Sequence, residues 1–143
     1  FIIILLTIII DQHFKEKILN CDKIINGEDI SLFKNKLIIT LAKNYGAALN
    51  FLSNKRKLLI TVNTICLIAI FTFLLFSLKE KGMEGFRIGT AFMIGGGLGN
   101  FIDRIKRGYV IDFIYFNIRK MPIFNLADFF IIGGAITACI NII

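Results

Sequence analysis

Six polar side chains between positions 100 and 128 carry most of the chemistry this chain can offer: Asn100, Asp103, Arg104, Asp112, Asn125 and Asp128. All lie in or beside hydrocarbon. Asp112 stands inside the run Val-Ile-Asp-Phe-Ile, and Asp128 follows Phe-Asn-Leu-Ala at the mouth of an apolar segment. Ionisable groups in such surroundings are costly, and the default reading of them is functional. Two carboxylates held within a few ångströms cannot both ionise easily, so they share a proton. The ionised member can take a proton from water while the protonated member donates to a carbonyl oxygen. The roles then exchange as an amine leaves. Asp112 and Asp128 are the candidate pair, with Phe113, Phe116, Phe124 and Phe129 as apolar surroundings. A competing reading makes Asn125 a helix cap and Asp128, three residues on, its capping-box partner.

Asp103 reads as the partner of a nearby cation or backbone amide that holds the site in shape, with a third acid as the alternative. Arg104 suits planar oxygen acceptors, whether of a lipid phosphate or of a substrate carbonyl. Equally, it neutralises the carboxylate cluster. Lys106 and Arg107 read as solvated or headgroup-facing charges. Other chemistries find little support. The single histidine, His13, has no nucleophile signature beside it. No zinc-binding spacing occurs, and the three cysteines (Cys21, Cys66, Cys139) show neither metal spacing nor an expected disulfide.

The elements that must position these groups are apolar. The chain has 143 residues, 56% of them hydrophobic, with a mean hydropathy of +0.75, which exceeds ordinary soluble composition. Apolar runs of membrane length recur, so an integral membrane protein of one domain, residues 1–143, is expected. The net charge of +7 is spread along the flanks of apolar segments, which fits anionic lipid headgroups better than nucleic acid. Four spans are read: one ending near Ile10, Leu58–Leu78 without a charge, Phe86–Ile102, and one from about Asn125 to Ile143. The chain begins at Phe1 rather than Met, so the first span is expected to begin upstream. A lipobox at Cys21 is a poor fit, because Asn20 stands where a small residue is wanted. A retained anchor is therefore expected rather than a cleaved signal.

Asp11-Gln12-His13-Phe14-Lys15 reads as a membrane exit, with Asp11 and Lys15 four apart as an ordinary interfacial ion pair. Lys36–Leu41 fits a short strand, and Ala47–Leu52 is a second ordered-looking piece. Gly85 and Gly89, and Gly95 and Gly99, have the spacing that lets helices pack closely. With four spans, Asp11, Asn44, Asn100, Asp103, Arg104, Asp112, Asn125 and Asp128 all gather at one membrane surface. Nine Lys and Arg fall in 14–57, three in 79–87 and five in 104–120, a count that by itself puts that surface in the cytoplasm.

The motifs, taken together, resemble the lipoprotein signal peptidase (signal peptidase II) family over nearly the whole chain. They are Asp11-Gln12 with Lys15, Asn44-Tyr45-Gly46-Ala47-Ala48, Gly99-Asn100-Phe101-Ile102-Asp103-Arg104, Gly108-Tyr109-Val110-Ile111-Asp112-Phe113 and Phe124-Asn125-Leu126-Ala127-Asp128. The resemblance implies an all-α membrane protein of four transmembrane helices, with a small extracytoplasmic β-cradle between helices 1 and 2. It implies catalytic Asp112 and Asp128. Asp11, Lys15, Asn44, Gly46, Asn100, Asp103, Arg104, Asn125 and Ala127 match positions that support or line the site. The implied substrate is a diacylglyceryl-modified prolipoprotein cleaved just before its lipidated cysteine. The implied place is the bacterial cytoplasmic membrane, multi-pass, with the site at the extracytoplasmic face against the charge count. Membrane lipids are implied partners; nucleic acid, cofactors, metal and any particular oligomer are not. Leu49, where the family has an aromatic, and Phe129, where it has a small residue, depart from the pattern and bear on the shape of the substrate pocket. The alternative function is a non-enzymatic transport or channel subunit with an interfacial acidic cluster.

Overall fold

The computed structural model describes residues 1–46, 55–119 and 121–141. In chain order its elements are α1 (Ile2–Leu19), α2 (Asp22–Ile25), β1 (Ile30–Leu32), β2 (Leu37–Asn44), α3 (Arg56–Ser77), α4 (Glu84–Lys106), β3 (Val110–Phe116), β4 (Ile123–Phe124) and α5 (Leu126–Ile140). The expected piece Ala47–Leu52 lies outside the described residues.

α4 is the helix against which α1, α3 and α5 all pack. Its buried face is made largely of small residues, with Gly89, Gly95, Gly96 and Gly99 among them. A Cβ built on Gly89 would lie 2.5 Å from both the Ala138 nitrogen and the Gly134 oxygen of α5. These are backbone atoms and cannot swing aside. Replacing Gly89 by Ala adds about 0.5–1 kcal/mol of helix preference. Overpacking costs about 1–3 kcal/mol, so the net effect is expected to be destabilising. Thermal unfolding in detergent measures it, and a raised midpoint would contradict this account of the α4–α5 contact.

α1 is amphipathic in an inverted sense. Its buried stripe is Ile4, Thr7, Asp11, Lys15 and Ile18, at the three- and four-residue steps of one helix face. Leu5 and Ile9, on the other side, are 60% and 61% exposed, whereas Asp11 and Lys15 are fully buried. The helix therefore does not end at Asp11. It carries through the polar cluster and continues to Leu19, with Asp11 and Lys15 of the Asp11–Lys15 stretch turned inward.

Among the described residues only α3 is long and apolar enough to pass as a membrane span on length and composition, and α5 is apolar but shorter. α1 and α4 have 18 and 23 residues but carry the site's charges on their inner faces.

Among the described residues four strands form one antiparallel sheet in the order β1-β2-β3-β4. Among the described residues, the β-element expected between the first two long helices supplies β1 and β2, and the sheet also takes in β3 and β4 from between α4 and α5. Ile111 and Phe113 of β3 pack with Ile18 and Ile24, which seats the sheet on the end of α1 and on α2. β2 extends the expected Lys36–Leu41 strand to Asn44.

Candidate active site

The buried polar groups meet where α1, α4, β3 and the start of α5 converge. Asn125 is the N-cap of α5, and a capping box is complete. Its Oδ1 accepts from the Asp128 N–H at 3.0 Å, and Asp128 Oδ2 accepts from the Asn125 N–H at 3.1 Å. The cap and the candidate acid are therefore not rival readings. Capping occupies one oxygen of Asp128 and fixes the carboxylate, while Oδ1 accepts from Asn100 Nδ2 at 2.9 Å.

Asp112 is held by two amides. Asn125 Nδ2 donates to its Oδ1 at 2.6 Å, and Asn44 Nδ2 to its Oδ2 at 2.9 Å. Asn125 Nδ2 also donates to Asn100 Oδ1 at 3.1 Å. Asp112 and Asp128 are thus joined through two carboxamides, and both line one cavity of about 220 Å³. Asn44, Asn100 and Arg104 share its polar side, and Phe124, Ile131 and Ile132 its apolar side. The rings of Phe116, Phe124 and Phe129 pack on one another beside it, with centroids 5.8–6.3 Å apart.

Asn44 reaches Asp112 because of an irregularity in β2. Ile39 stands opposite Ile114, but Ala42 stands opposite Asp112, so β2 carries one extra residue between them. Side chains alternate faces along a strand, and a one-residue slip exchanges the faces. With an unbroken register Leu41 would face Asp112, and Asn44 would point to the other side. The bulge places Asn44 on the Asp112 face.

Burial pushes the Asp112 carboxyl up to about 6, with the neighbouring Asp128 adding to the effect and the amides of Asn44 and Asn125 opposing it. In the unfolded chain the same group titrates near 3.8. The folded state therefore binds its proton more tightly, and stability declines as pH rises from about 4 through about 6, then levels. Asp112→Asn removes this slope. Its unfolding free energy, compared with that of the parent protein, should improve across that window by up to about 3 kcal/mol. Unfolding in detergent at a series of pH values tests this, and a difference independent of pH would refute it.

The remaining expected residues form a support behind the pair. Lys15 Nζ contacts Asp11 Oδ2 at 2.7 Å, Asp103 Oδ2 at 2.9 Å and Asn100 Oδ1 at 3.0 Å, and Asp11, Lys15 and Asp103 are wholly buried. The reading of Asp11 and Lys15 as an ordinary interfacial pair is therefore corrected: four-residue spacing puts two charges on one face without saying which way that face points. Asp11 Oδ1 accepts from the Ala127 N–H at 3.0 Å. Asp103 accepts from the Ile111 N–H at 3.3 Å and pairs with Arg107. It serves as the partner of cations and an amide, the first of the two readings above. Arg104 Nη2 donates to the Gly46 oxygen at 3.0 Å, and the Gly46 N–H donates to Asn44 Oδ1 at 2.9 Å. Arg104 thus braces the turn after β2 at the edge of the cavity.

Two participants were not expected. Arg107, read as a solvated charge, bonds Asp103 and Gln12; its position four residues after Asp103 was the available signal. Gln12 Nε2 donates to Asp11, Asp103 and the Gly99 oxygen at 3.1–3.3 Å, a role that its place inside the Asp11–Lys15 motif only hints at. Gly99 is small for a matching reason, since a Cβ there would stand 2.6 Å from Asp11 Oδ2.

Residues 3–143 match the family model described as signal peptidase (SPase) II. Similar curated proteins include the lipoprotein signal peptidase of Caldicellulosiruptor bescii, 35% identical over 94% of this chain and 84% of the relative. That of Halothermothrix orenii is 36% identical over 94% of this chain and 88% of the relative. A solved structure described as a bacterial membrane enzyme, obtained by the in meso method at 1.9 Å resolution, superposes with a TM-score of 0.82. It is 33% identical, and the match covers 99% of this chain and 90% of that one.

Proposed function

The chain belongs to the signal peptidase II family of bacterial membrane peptidases, and we propose that Asp112 and Asp128 are its catalytic pair. The substrate in this reading is a prolipoprotein whose cysteine already carries diacylglycerol, and the peptide bond just before that cysteine is cleaved. The observation that carries the proposal is the pair's setting: two carboxylates, each tied to the other through Asn100 and Asn125, lining one cavity with a hydrocarbon wall. Such a pair holds one proton between its members. The ionised member draws a proton from a water molecule as its oxygen attacks the scissile carbonyl carbon. The protonated member gives its proton to the carbonyl oxygen as the centre becomes tetrahedral. Collapse then returns the carbonyl and delivers a proton to the leaving amine. Ile131, Ile132 and Phe124 offer acyl chains an apolar surface next to that centre.

The four-span topology is part of the same proposal. Exposed hydrocarbon runs along α1 and α3, with Ile65, Ile68 and Phe73 of α3 each more than 60% exposed, and lipid is the solvent that such faces suit. The polar cluster joins the C-terminal part of α1, the C-terminal part of α4 and the N-terminus of α5. It therefore sits at one end of the bundle, opposite the α3–α4 connection, and the family resemblance favours the extracytoplasmic face of the cytoplasmic membrane. A transport path would need acids at several depths, and this clustering at one end does not support it.

A gel-shift assay with a diacylglyceryl-modified prolipoprotein and its unmodified precursor tests the proposal. The lipidated form should be shortened and the unmodified form left intact. Equal cleavage of both, or of neither, would overturn the substrate assignment.

A further inference from the structure

Two carboxylates outside the cavity share an arrangement that the reaction itself does not require. Asp11 Oδ1 accepts from the N–H of Ala127, the residue immediately before Asp128. Asp103 Oδ2 accepts from the N–H of Ile111, the residue immediately before Asp112. The two carboxylates come from different helices, and Lys15 Nζ lies between them, 2.7 Å from one and 2.9 Å from the other. Its third contact is Asn100 Oδ1. An ammonium only donates, so it faces the carbonyl oxygen of that amide and leaves the amide nitrogen to face Asp128. Nothing in this group is solvated: Asp11, Lys15 and Asp103 are wholly buried.

We propose that Lys15 sets the spacing of the Asp112–Asp128 pair, by tying together the two carboxylates that each anchor the residue before one of its members. Lys15 is a positioning residue, since it touches neither carboxylate of the pair directly. The bond from Asn100 to Asp128 is a third arm of the same tether. A lysine suits the task because its ammonium has three donors and takes three acceptors at once. Proton sharing depends steeply on the separation of two carboxylates, and a displacement of about 1 Å can cost roughly 100-fold in rate.

The inference rests on the peptidase reading, and its test separates the two. Lys15→Met leaves Asp11 and Asp103 buried without their shared cation, so a second variant balances the charge: Asp11→Asn with Lys15→Met removes one charge of each sign and leaves Asp103 paired with Arg107. A carboxamide oxygen at position 11 can still accept from Ala127 and Asp103 still accepts from Ile111, but the ammonium bridge is gone and only the neutral amide of Gln12 spans the two. The charged groups facing the pair come from α1 (Asp11, Lys15) and from α4 (Asp103, Arg104, with Arg107 behind Asp103), while β2 contributes the neutral Asn44. Changing their net charge moves both limbs of the pH–rate profile together. Loosening the pair instead brings the limbs closer, because the splitting of the two titrations reports the coupling between them.

With the lipidated prolipoprotein as substrate, the double variant should accumulate folded, with kcat lowered about 100-fold, KM unchanged and the limbs drawn together. A limb separation equal to that of the parent protein would overturn the tether, as would an unchanged kcat. Failure of the charge-balanced variant to fold would also count against it, because it would make the triad a requirement of stability and not of spacing. Failure of the parent protein to cleave would instead reject the peptidase reading.

Discussion

Asp112→Asn and Asp128→Asn are each expected to lower turnover of a lipidated prolipoprotein by about 10³-fold or more while the protein still accumulates in membranes. Positioned acid–base groups contribute about 10²–10⁴-fold each, and members of a pair that act as one unit are not additive. An asparagine has neither the proton to give nor the basicity to take one. The folds of the two variants should survive for identifiable reasons. At position 128 the carboxamide oxygen can still accept from the Asn125 N–H, which preserves the cap of α5. At position 112 one donor, from Asn125 or from Asn44, can still be accepted. The gel-shift assay reads the result. Turnover within tenfold of the parent protein in either variant would remove that residue from the reacting pair.

Asp103→Ala is expected to be the most destabilising of the single substitutions, at about 3–5 kcal/mol. It removes one of two carboxylates from buried Lys15, deprives Arg107 of its carboxylate and leaves the Ile111 N–H without its acceptor. Removing one member of a buried ionic group leaves the others uncompensated, which costs far more than the pair contributes over an apolar replacement. Asp103→Asn keeps an acceptor for Ile111 and should lose less. Denaturant or thermal unfolding in detergent distinguishes the two, and a loss below about 1 kcal/mol for Asp103→Ala would show that the network carries little stability.

Much of this arrangement could be read from the chain before its structure. The acids at 112 and 128, the amides at 100 and 125, and the shape-holding part of Asp103 all stood out as polar residues against hydrocarbon, and Asn44 joined them through the count of spans. Orientation did not. The spacing of Asp11 and Lys15 gives a shared face, but whether that face looks toward lipid, water or protein depends on which helix lies beside it, here α4. The same ambiguity hid Arg107. β3 was hidden for a different reason: Val110, Ile111, Asp112 and Phe113 are all buried, so the strand lacks the polar–apolar alternation by which a half-solvated strand is recognised. Its pairing with β2, across more than sixty intervening residues, is a tertiary fact that no local pattern encodes.

The bulge between Ile39 and Ala42 makes the site answer to parity. Deleting the one extra residue there restores an unbroken register with Ala42 still opposite Asp112, so Asn44 keeps its facing. Deleting two brings Lys43 opposite Asp112 instead, rotates Asn44 to the far side of the sheet and strips Asp112 of a donor. Along this stretch, counting odd or even matters more than which amino acids are lost, so losing two codons can silence the centre where losing one does not, while every residue that does the chemistry remains in the chain.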